Sequence, residues 1–229
     1  MKVIIIIPAY NEALNIERVT DNLIKNYPEY DYVIVNDGST DDTSAVCRRR
    51  GYNLLDLPVN VGLSGAIRAG MRYADYYGYD YAIQLDGDGQ HDPMYIKKML
   101  DHMTGTSCDI VIGSRFVDEK KPKSMRMMGS NVISALIRMT TGKKINDVTS
   151  GMRLYNKAMI RKFAYDSHFS PEPDTLAFLL NQGVRIEEVQ VNMHERIAGT
   201  SYLNFWNSLW YMTKMGFSIL LFQWVRRRE

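Results

Sequence analysis

Apolar residues fall in short blocks through the first half of the chain, and the blocks alternate with stretches of helical spacing. VIIIIP (Val3–Pro8) is continuously apolar, the pattern of a strand buried on both faces. A helix is expected from about Ala13 to Lys25, a strand at DYVIVND, and a helix opening at the STDDT turn. YNLLDLP reads as a third strand, VGLSGAIRAGMRYADYY carries helical spacing, and YDYAIQLD and CDIVIGS complete the series. Short apolar strands alternating with helices predict a mostly parallel α/β sheet, Rossmann-like, with helices on both faces.

The second half is less regular. From Lys120 to Lys144 seven basic residues occur without an acid, interleaved with Met125, Met127, Met128, Val132, Ile133, Leu136 and Ile137. DVTSGMRLY follows, then a helical stretch around DTLAFLLNQG and a strand at VRIEEVQV. The division expected is a domain over residues 1–201 and a tail over residues 202–229. From Leu203 to Val225 the tail matches the roughly 20 residues that span a bilayer, but Asn204, Asn207, Lys214 and Gln223 interrupt it. An amphipathic interfacial helix suits it better, with Trp206, Trp210 and Trp224 as anchors and Arg226, Arg227 and Arg228 on anionic headgroups. A helix–helix contact with another subunit, making a homo-oligomer, is the competing reading of that stretch.

Composition narrows the classes. The 229 residues are 45% hydrophobic and 24% charged, ordinary for a globular protein, and the net charge of +2 does not suggest a nucleic-acid binder. Cys47 and Cys108 lack ligand spacing and read as reduced, buried thiols, and the four histidines are too scattered for zinc. The apolar run in MKVIIIIPAY is shorter than the about 7–15 residues of a secretion signal, so the N-terminus is expected to stay in the cytosol.

QLDGDGQHD (Gln84–Asp92) follows the apolar YAI at a strand end, where ligands bind in open parallel sheets. Residues i and i+2 of a strand point the same way, so Asp86 and Asp88 repel unless a cation or proton lies between them. Mg²⁺ or Mn²⁺ suits such a pair together with phosphate oxygens. A calcium EF-hand fails, because its sixth position would be His91 instead of Gly and its twelfth Lys97 instead of Glu. Neither GxxxxGK[ST] nor GxGxxG occurs. Two more strand ends carry acids, PAYNE (Pro8–Glu12) and NDGSTDDT (Asn36–Thr43), and Asp37 is placed to accept hydrogen bonds from a nucleoside. Taken singly, NDGST is also a common turn and helix cap.

PAYNE, NDGSTDDT, GLSGAIRAG and LDGDGQHDP, in that order, resemble the family 2 glycosyltransferases of GT-A fold. IGSRF and DVTSGMRLY resemble the branch of dolichol-phosphate mannosyltransferase and bacterial polyprenyl-phosphate glycosyltransferases. The resemblance runs from about Val3 to Ser201. It implies a nucleotide-diphosphate sugar donor, inverting transfer, and action at the cytoplasmic face of the membrane. By resemblance, Pro8, Tyr10, Glu12 and Asp37 line the nucleoside pocket, and Asp86, Asp88 and Gln90 hold the cation. Arg115, with the Arg126-x-x-x-Ser130 pair, faces phosphates, and Arg196 lies in a loop resembling RxxGxS that closes over the diphosphate. Where the family often has Lys after that Ser, this chain has Tyr202.

An acceptor phosphate is already anionic and needs cations instead of a base, which suits the acid-free basic stretch and a polyprenyl phosphate such as undecaprenyl phosphate. UDP-glucose or UDP-N-acetylglucosamine is favoured over GDP-mannose by resemblance to bacterial relatives. The alternative is a hydroxyl acceptor with Glu172 or Asp174 as base, although both also suit the N-terminus of a helix. A non-catalytic nucleotide-sugar binding module is a third reading, disfavoured because both carboxylates of the pair are present. Many relatives carry transmembrane helices after the catalytic domain, and a separate small membrane protein could supply that anchor here.

Overall fold

The computed structural model describes residues 1–122, 125–194 and 214–220, with Met125 and Arg126 placed by their backbone alone. In chain order the first half comprises β1 (Val3–Ala9), α1 (Ile16–Asn26), β2 (Asp31–Asn36), α2 (Thr43–Arg50), β3 (Leu54–Asp56), α3 (Gly62–Tyr76) and β4 (Tyr81–Gln84). Then come α4 (Tyr95–Thr106), β5 (Ile110–Ser114), α5 (Met125–Thr141), β6 (Arg153–Asn156), α6 (Lys157–Tyr165), α7 (Pro173–Asn181) and β7 (Ile186–Gln190). Residues 214–220 are also helical.

One seven-stranded sheet has the order β3-β2-β1-β4-β6-β5-β7. Every neighbouring pair is parallel except at β6, which runs antiparallel to both β4 and β5. The continuous apolar run of β1 explains its central place, since Ile4, Ile5, Ile6 and Ile7 are all fully buried. Side-chain alternation sends Val3, Ile5 and Ile7 against α1, α2 and α4, and Ile4 and Ile6 against α3 and its neighbours. Each such isoleucine contributes about 1.5–3 kcal/mol through burial. Pro8 stands beyond the last β4 pairing, Ile6 with Gln84, so its missing N–H breaks no ladder bond.

The helix expected from Ala13 begins instead at Ile16. Asn11 adopts φ 56°, and the amides of Glu12 and Ala13 are given to Thr43 Oγ1 (2.9 Å) and Asp41 Oδ2 (3.1 Å) of the neighbouring loop. These residues serve the junction of two loops before the helix can start. The end of DVTSGMRLY becomes the antiparallel strand β6, which apolar periodicity did not announce. Its Arg153 is buried and donates to the carbonyls of Val148 (3.0 Å) and Ser150 (3.0 Å), folding the preceding loop back on the strand. Cys47 and Cys108 are free and buried, as expected of structural thiols, and burial pushes the Cys47 thiol up to about 11.

Within residues 214–220, Met215 and Ile219 join the core, Gly216 lies beside Leu136 of α5, and Ser218 bonds Asp174 of α7. No helix among the described residues is long and apolar enough to cross a membrane.

Gly70 sets how closely α3 approaches β1. A Cβ there would meet Ile6, overlapping its Cγ2 and lying 3.2 Å from Cδ1. Gly70→Val is expected to destabilise the fold by about 1–3 kcal/mol through overpacking. Urea denaturation checks this, and an unchanged midpoint would contradict the packing described.

Candidate active site

The carboxyl ends of β1, β2 and β4 lie on one edge of the sheet, because the three strands are parallel neighbours. The first two loops interlock. The Asn11 side-chain oxygen accepts from the amides of Thr40 (2.9 Å) and Asp41 (3.3 Å), and Ser39 Oγ accepts from the Asn11 amide at 3.0 Å. Pro8, Tyr10 and Glu12 are therefore carried beside Asp37, whose amide bonds the Ala9 carbonyl at 2.9 Å. Asp37 is buried, and its Oδ1 accepts from the Val61 amide at 2.8 Å. One oxygen of the expected nucleoside acceptor thus ties β2 to the loop before α3.

The loop after β4 is packed against this junction. Gly87 lies on the end of β1, where a Cβ would come 3.1 Å from the Pro8 carbonyl oxygen. Asp88 is buried, and its Oδ1 accepts from the Gln90 amide at 3.0 Å. Arg18 of α1, which carries no signal in the sequence pattern, donates to the Asp88 carbonyl at 3.3 Å. Its guanidinium covers Gly89, which has φ +77° and no room for a side chain.

Asp86 is enclosed differently. About a third of its side chain is exposed, and His91 Nδ1 lies 3.5 Å from its Oδ2. The imidazole is buried, and neither ring nitrogen has a hydrogen-bond partner among the described residues. On another side the carboxylate packs on Gly151, where a Cβ would lie only 3.0 Å from Oδ1 and 2.9 Å from Cγ. The β4–β6 register of Gln84 with Arg153 extends to place Gly151 opposite Asp86. Gly151 thus belongs to the site, although TSG alone gives no reason to include it. Gln90 is joined to the strand end after β7, since its carbonyl accepts from the His194 amide at 2.8 Å. The chain therefore sets out towards Arg196 from beside Gln90, while Arg196 itself lies outside the described residues.

The basic group is organised around buried Asp147. Arg115 donates from Nε (2.7 Å) and Nη2 (2.8 Å) to the two Asp147 oxygens, a bidentate pair. Burial pushes the Asp147 carboxyl up, but the hydrogen bonds and charge of Arg115 outweigh it and hold the group below the ordinary aspartate value. Arg115 is thereby a structural cation as well as a candidate phosphate ligand. Ser130 is buried on α5, and its Oγ accepts from Lys121 Nζ at 3.2 Å. Arg126 stands in the first turn of α5, placed by its backbone.

The alternative bases sit at the start of α7, with Glu172 at the N-cap position. Asp174 Oδ1 accepts from the Thr175 amide at 2.8 Å and Oδ2 from the Ser218 hydroxyl at 2.6 Å. Both Asp174 oxygens are thus occupied in joining α7 to the 214–220 helix.

A mostly parallel sheet with acids at adjacent strand ends and an aspartate pair after β4 is the GT-A architecture. The family model described as "Glycosyl transferase family 2" matches residues 4–164, and the chain belongs to that family. It is 31% identical over 217 residues to an undecaprenyl-phosphate mannosyltransferase of Micrococcus luteus, covering 89% of this chain and 88% of the relative. A polyprenol monophosphomannose synthase of Mycolicibacterium smegmatis is 27% identical, over 89% of this chain and 81% of its own length. A UDP-N-acetylglucosamine–dolichyl-phosphate N-acetylglucosaminyltransferase of Methanococcus voltae is 30% identical, over 69% and 70%. Among solved structures, glucosyl-3-phosphoglycerate synthase of Mycobacterium tuberculosis with Mn²⁺ and UDP-glucose superposes with TM-score 0.66 at 16% identity, over 96% of this chain and 78% of that one. A mannosyltransferase of Pyrobaculum calidifontis with GDP-Man and Mn²⁺ gives TM-score 0.63 at 18% identity, over 88% and 58%. At these identities the structural likeness establishes the fold.

Arg115→Ala is expected to cost about 3–5 kcal/mol of stability, because it leaves a buried carboxylate without its cation. The sign with pH follows from the depressed Asp147 pKa. Its contribution is present above the unfolded value of about 3.9 and is lost as pH falls through the lower folded value. Urea unfolding of wild type and Arg115→Ala should therefore differ strongly at pH 7 and converge at the acid end of that range. A gap that does not change with pH would refute the assignment.

Proposed function

We propose that this glycosyltransferase moves a hexosyl group from a nucleotide-diphosphate sugar to a polyprenyl phosphate at the cytoplasmic face of a membrane. The observation that carries the acceptor assignment is the surface of α5. Met128, Val132 and Met139 are exposed on the helix that carries Ser130 and Arg126, and Phe217 and Leu220 are exposed on the helix packed beside it. An apolar face next to cationic side chains suits an isoprenoid chain ending in phosphate. The names of the three relatives, each a polyprenyl- or dolichyl-phosphate enzyme, support the same acceptor class.

The donor pocket is assigned to Pro8, Tyr10, Glu12 and Asp37, with Arg196, outside the described residues, assigned to the diphosphate by resemblance. Among the described residues no group of three or more His, Cys, Asp or Glu side chains is placed to hold a metal ion by itself. Two carboxylates and an amide oxygen at Asp86, Asp88 and Gln90 fit a hard cation that takes its other ligands from a diphosphate. Mg²⁺ or Mn²⁺ held there would neutralise charge on the departing nucleoside diphosphate.

In the reaction an acceptor phosphate oxygen forms a bond to the anomeric carbon opposite the diphosphate. The carbon–oxygen bond to the nucleoside diphosphate breaks, its electron pair leaves with the diphosphate, and the configuration inverts. No proton need be removed, because a phosphate monoester with a second pKa of about 6 is already anionic. The engagement of both Asp174 oxygens is consistent with a mechanism that lacks a carboxylate base. UDP-glucose and UDP-N-acetylglucosamine remain the donors proposed from bacterial resemblance, and the mannosyl relatives add a mannose donor to the panel. The tail, residues 202–229, is assigned to the lipid interface, with Trp206, Trp210, Trp224 and the terminal arginines outside the described residues.

A screen of purified protein in detergent with Mg²⁺ or Mn²⁺ tests the function. It pairs UDP-glucose, UDP-N-acetylglucosamine and GDP-mannose with a short-chain polyprenyl phosphate and the matching alcohol. Transfer to the phosphate is expected, and transfer to the alcohol alone would overturn the assignment. Asp86→Asn and Asp88→Asn should each lower turnover by about 100-fold or more, since even outer-shell changes at metal sites cost 10–100-fold. Near-wild-type turnover at limiting metal would remove the cation site. Gly151→Ala should weaken Mn²⁺ binding in the presence of UDP or GDP by about 10–100-fold, read by electron paramagnetic resonance, while the far-ultraviolet circular dichroism is retained. Unaltered Mn²⁺ affinity would show that Asp86 does not depend on that contact.

A further inference from the structure

Resting on the polyprenyl-phosphate reading, we infer that Lys121 is a further side chain that receives the acceptor phosphate, beside the expected Arg115 and Arg126, and that Ser130 acts through Lys121 as its positioning residue. Three observations converge on this pair. Ser130 is 3% exposed, and its hydroxyl is covered by the Lys121 ammonium. Lys121 Nζ lies 3.2 Å from Ser130 Oγ, and the lysine is half-buried. Among the described residues no carboxylate stands within ion-pair distance of Lys121.

The neighbouring charges explain why this ammonium is available for an anion. Asp147 is committed to Arg115 through two hydrogen bonds. Glu188 accepts from the backbone amides of Asn146 (2.7 Å) and Asp147 (2.8 Å). Both carboxylates attract Lys121 from a distance, but burial outweighs them and holds its pKa below the ordinary lysine value, with Arg115 and Lys144 acting in the same direction. A phosphate monoester on this ammonium would replace lost hydration with a charge-assisted hydrogen bond. The Phe116 ring, 5.6 Å from Nζ and 5.0 Å from the Arg115 guanidinium, lies against both cations. Ser130 fixes the lysine through a hydrogen bond that does not consume its charge. Lys121 lies just before α5, whose exposed Met128 and Val132 offer an apolar path for the prenyl chain.

Two measurements on the full chain test the assignment. Lys121→Met should raise the KM for a short-chain prenyl phosphate by at least about tenfold while the donor KM moves less than about threefold. Ser130→Ala should shift the acceptor KM in the same direction by a smaller factor, and Lys121→Arg should restore most of the loss. An acceptor KM unchanged in Lys121→Met would overturn the inference, whereas a wild-type enzyme that uses only prenyl alcohol would overturn the acceptor class itself.

The second measurement needs no variant. Amine acetylation of the wild-type protein, read by mass spectrometry, should slow at Lys121 by about fivefold or more when prenyl phosphate is added. Inorganic phosphate at the same concentration should protect much less. Equal labelling with and without prenyl phosphate would refute the assignment, and equal protection by inorganic phosphate would reduce the seat to an unspecific anion site.

Discussion

The approach of Gly151 to the Asp86 carboxylate is the contact on which the arrangement of the site depends. It exists because β6 is inserted antiparallel between β4 and β5, so that the register at Gln84 and Arg153 carries Gly151 to the position opposite Asp86. A side chain there would push the carboxylate away from the strand ends. The same loop carries Asp147, which binds Arg115 at the end of β5. One short segment, closed by the buried Arg153, therefore links the acidic group after β4 to the basic group after β5. Displacement of this loop would disturb the acidic and basic groups together.

Charge is distributed so that each half of the site keeps its sign. Asp86 and Asp88 carry negative charge on one permissive loop, where glycine at 87 and 89 admits the Pro8 carbonyl and the Arg18 guanidinium at close range. Arg18 grips the backbone of that loop, so it steadies the turn through a carbonyl. On the basic side Arg115 is held by its carboxylate partner while Lys121 is held by a hydroxyl. A cation whose partner is neutral retains its attraction for an incoming anion, which a bidentate ion pair largely spends within the protein.

The exposed apolar surface of the molecule follows from packing. Helix α5 buries Ile133 and Ile137 against the sheet yet leaves Met128, Val132 and Met139 exposed. The 214–220 helix repeats the pattern, with Met215 and Ile219 inside and Phe217 and Leu220 outside. Such helices are apolar on more of their circumference than a single core contact explains. The Ser218–Asp174 bond holds the second helix to α7, so the exposed residues are presented from the body of the domain.

Much of this was legible in the residue pattern. The five-residue run from Val3 to Ile7 could only be a strand buried on both sides, and the paired aspartates at i and i+2 stand at a strand end as their position in the sequence implied. The order of PAYNE, NDGSTDDT and LDGDGQHDP marked the family, because strand order and loop chemistry are written locally. What remained invisible depended on contacts between distant segments. Gly151 has no meaning until antiparallel pairing sets it against Asp86, and the pairing of Arg115 with Asp147, 32 residues away, cannot be read from either segment alone. The Ser218–Asp174 bond, and the bond from Lys121, one basic residue of seven, to Ser130, are likewise visible only in the fold. Local sequence determines which groups can do chemistry, but burial and partnership decide which groups retain their charge for a ligand, and those arise only when the chain has folded.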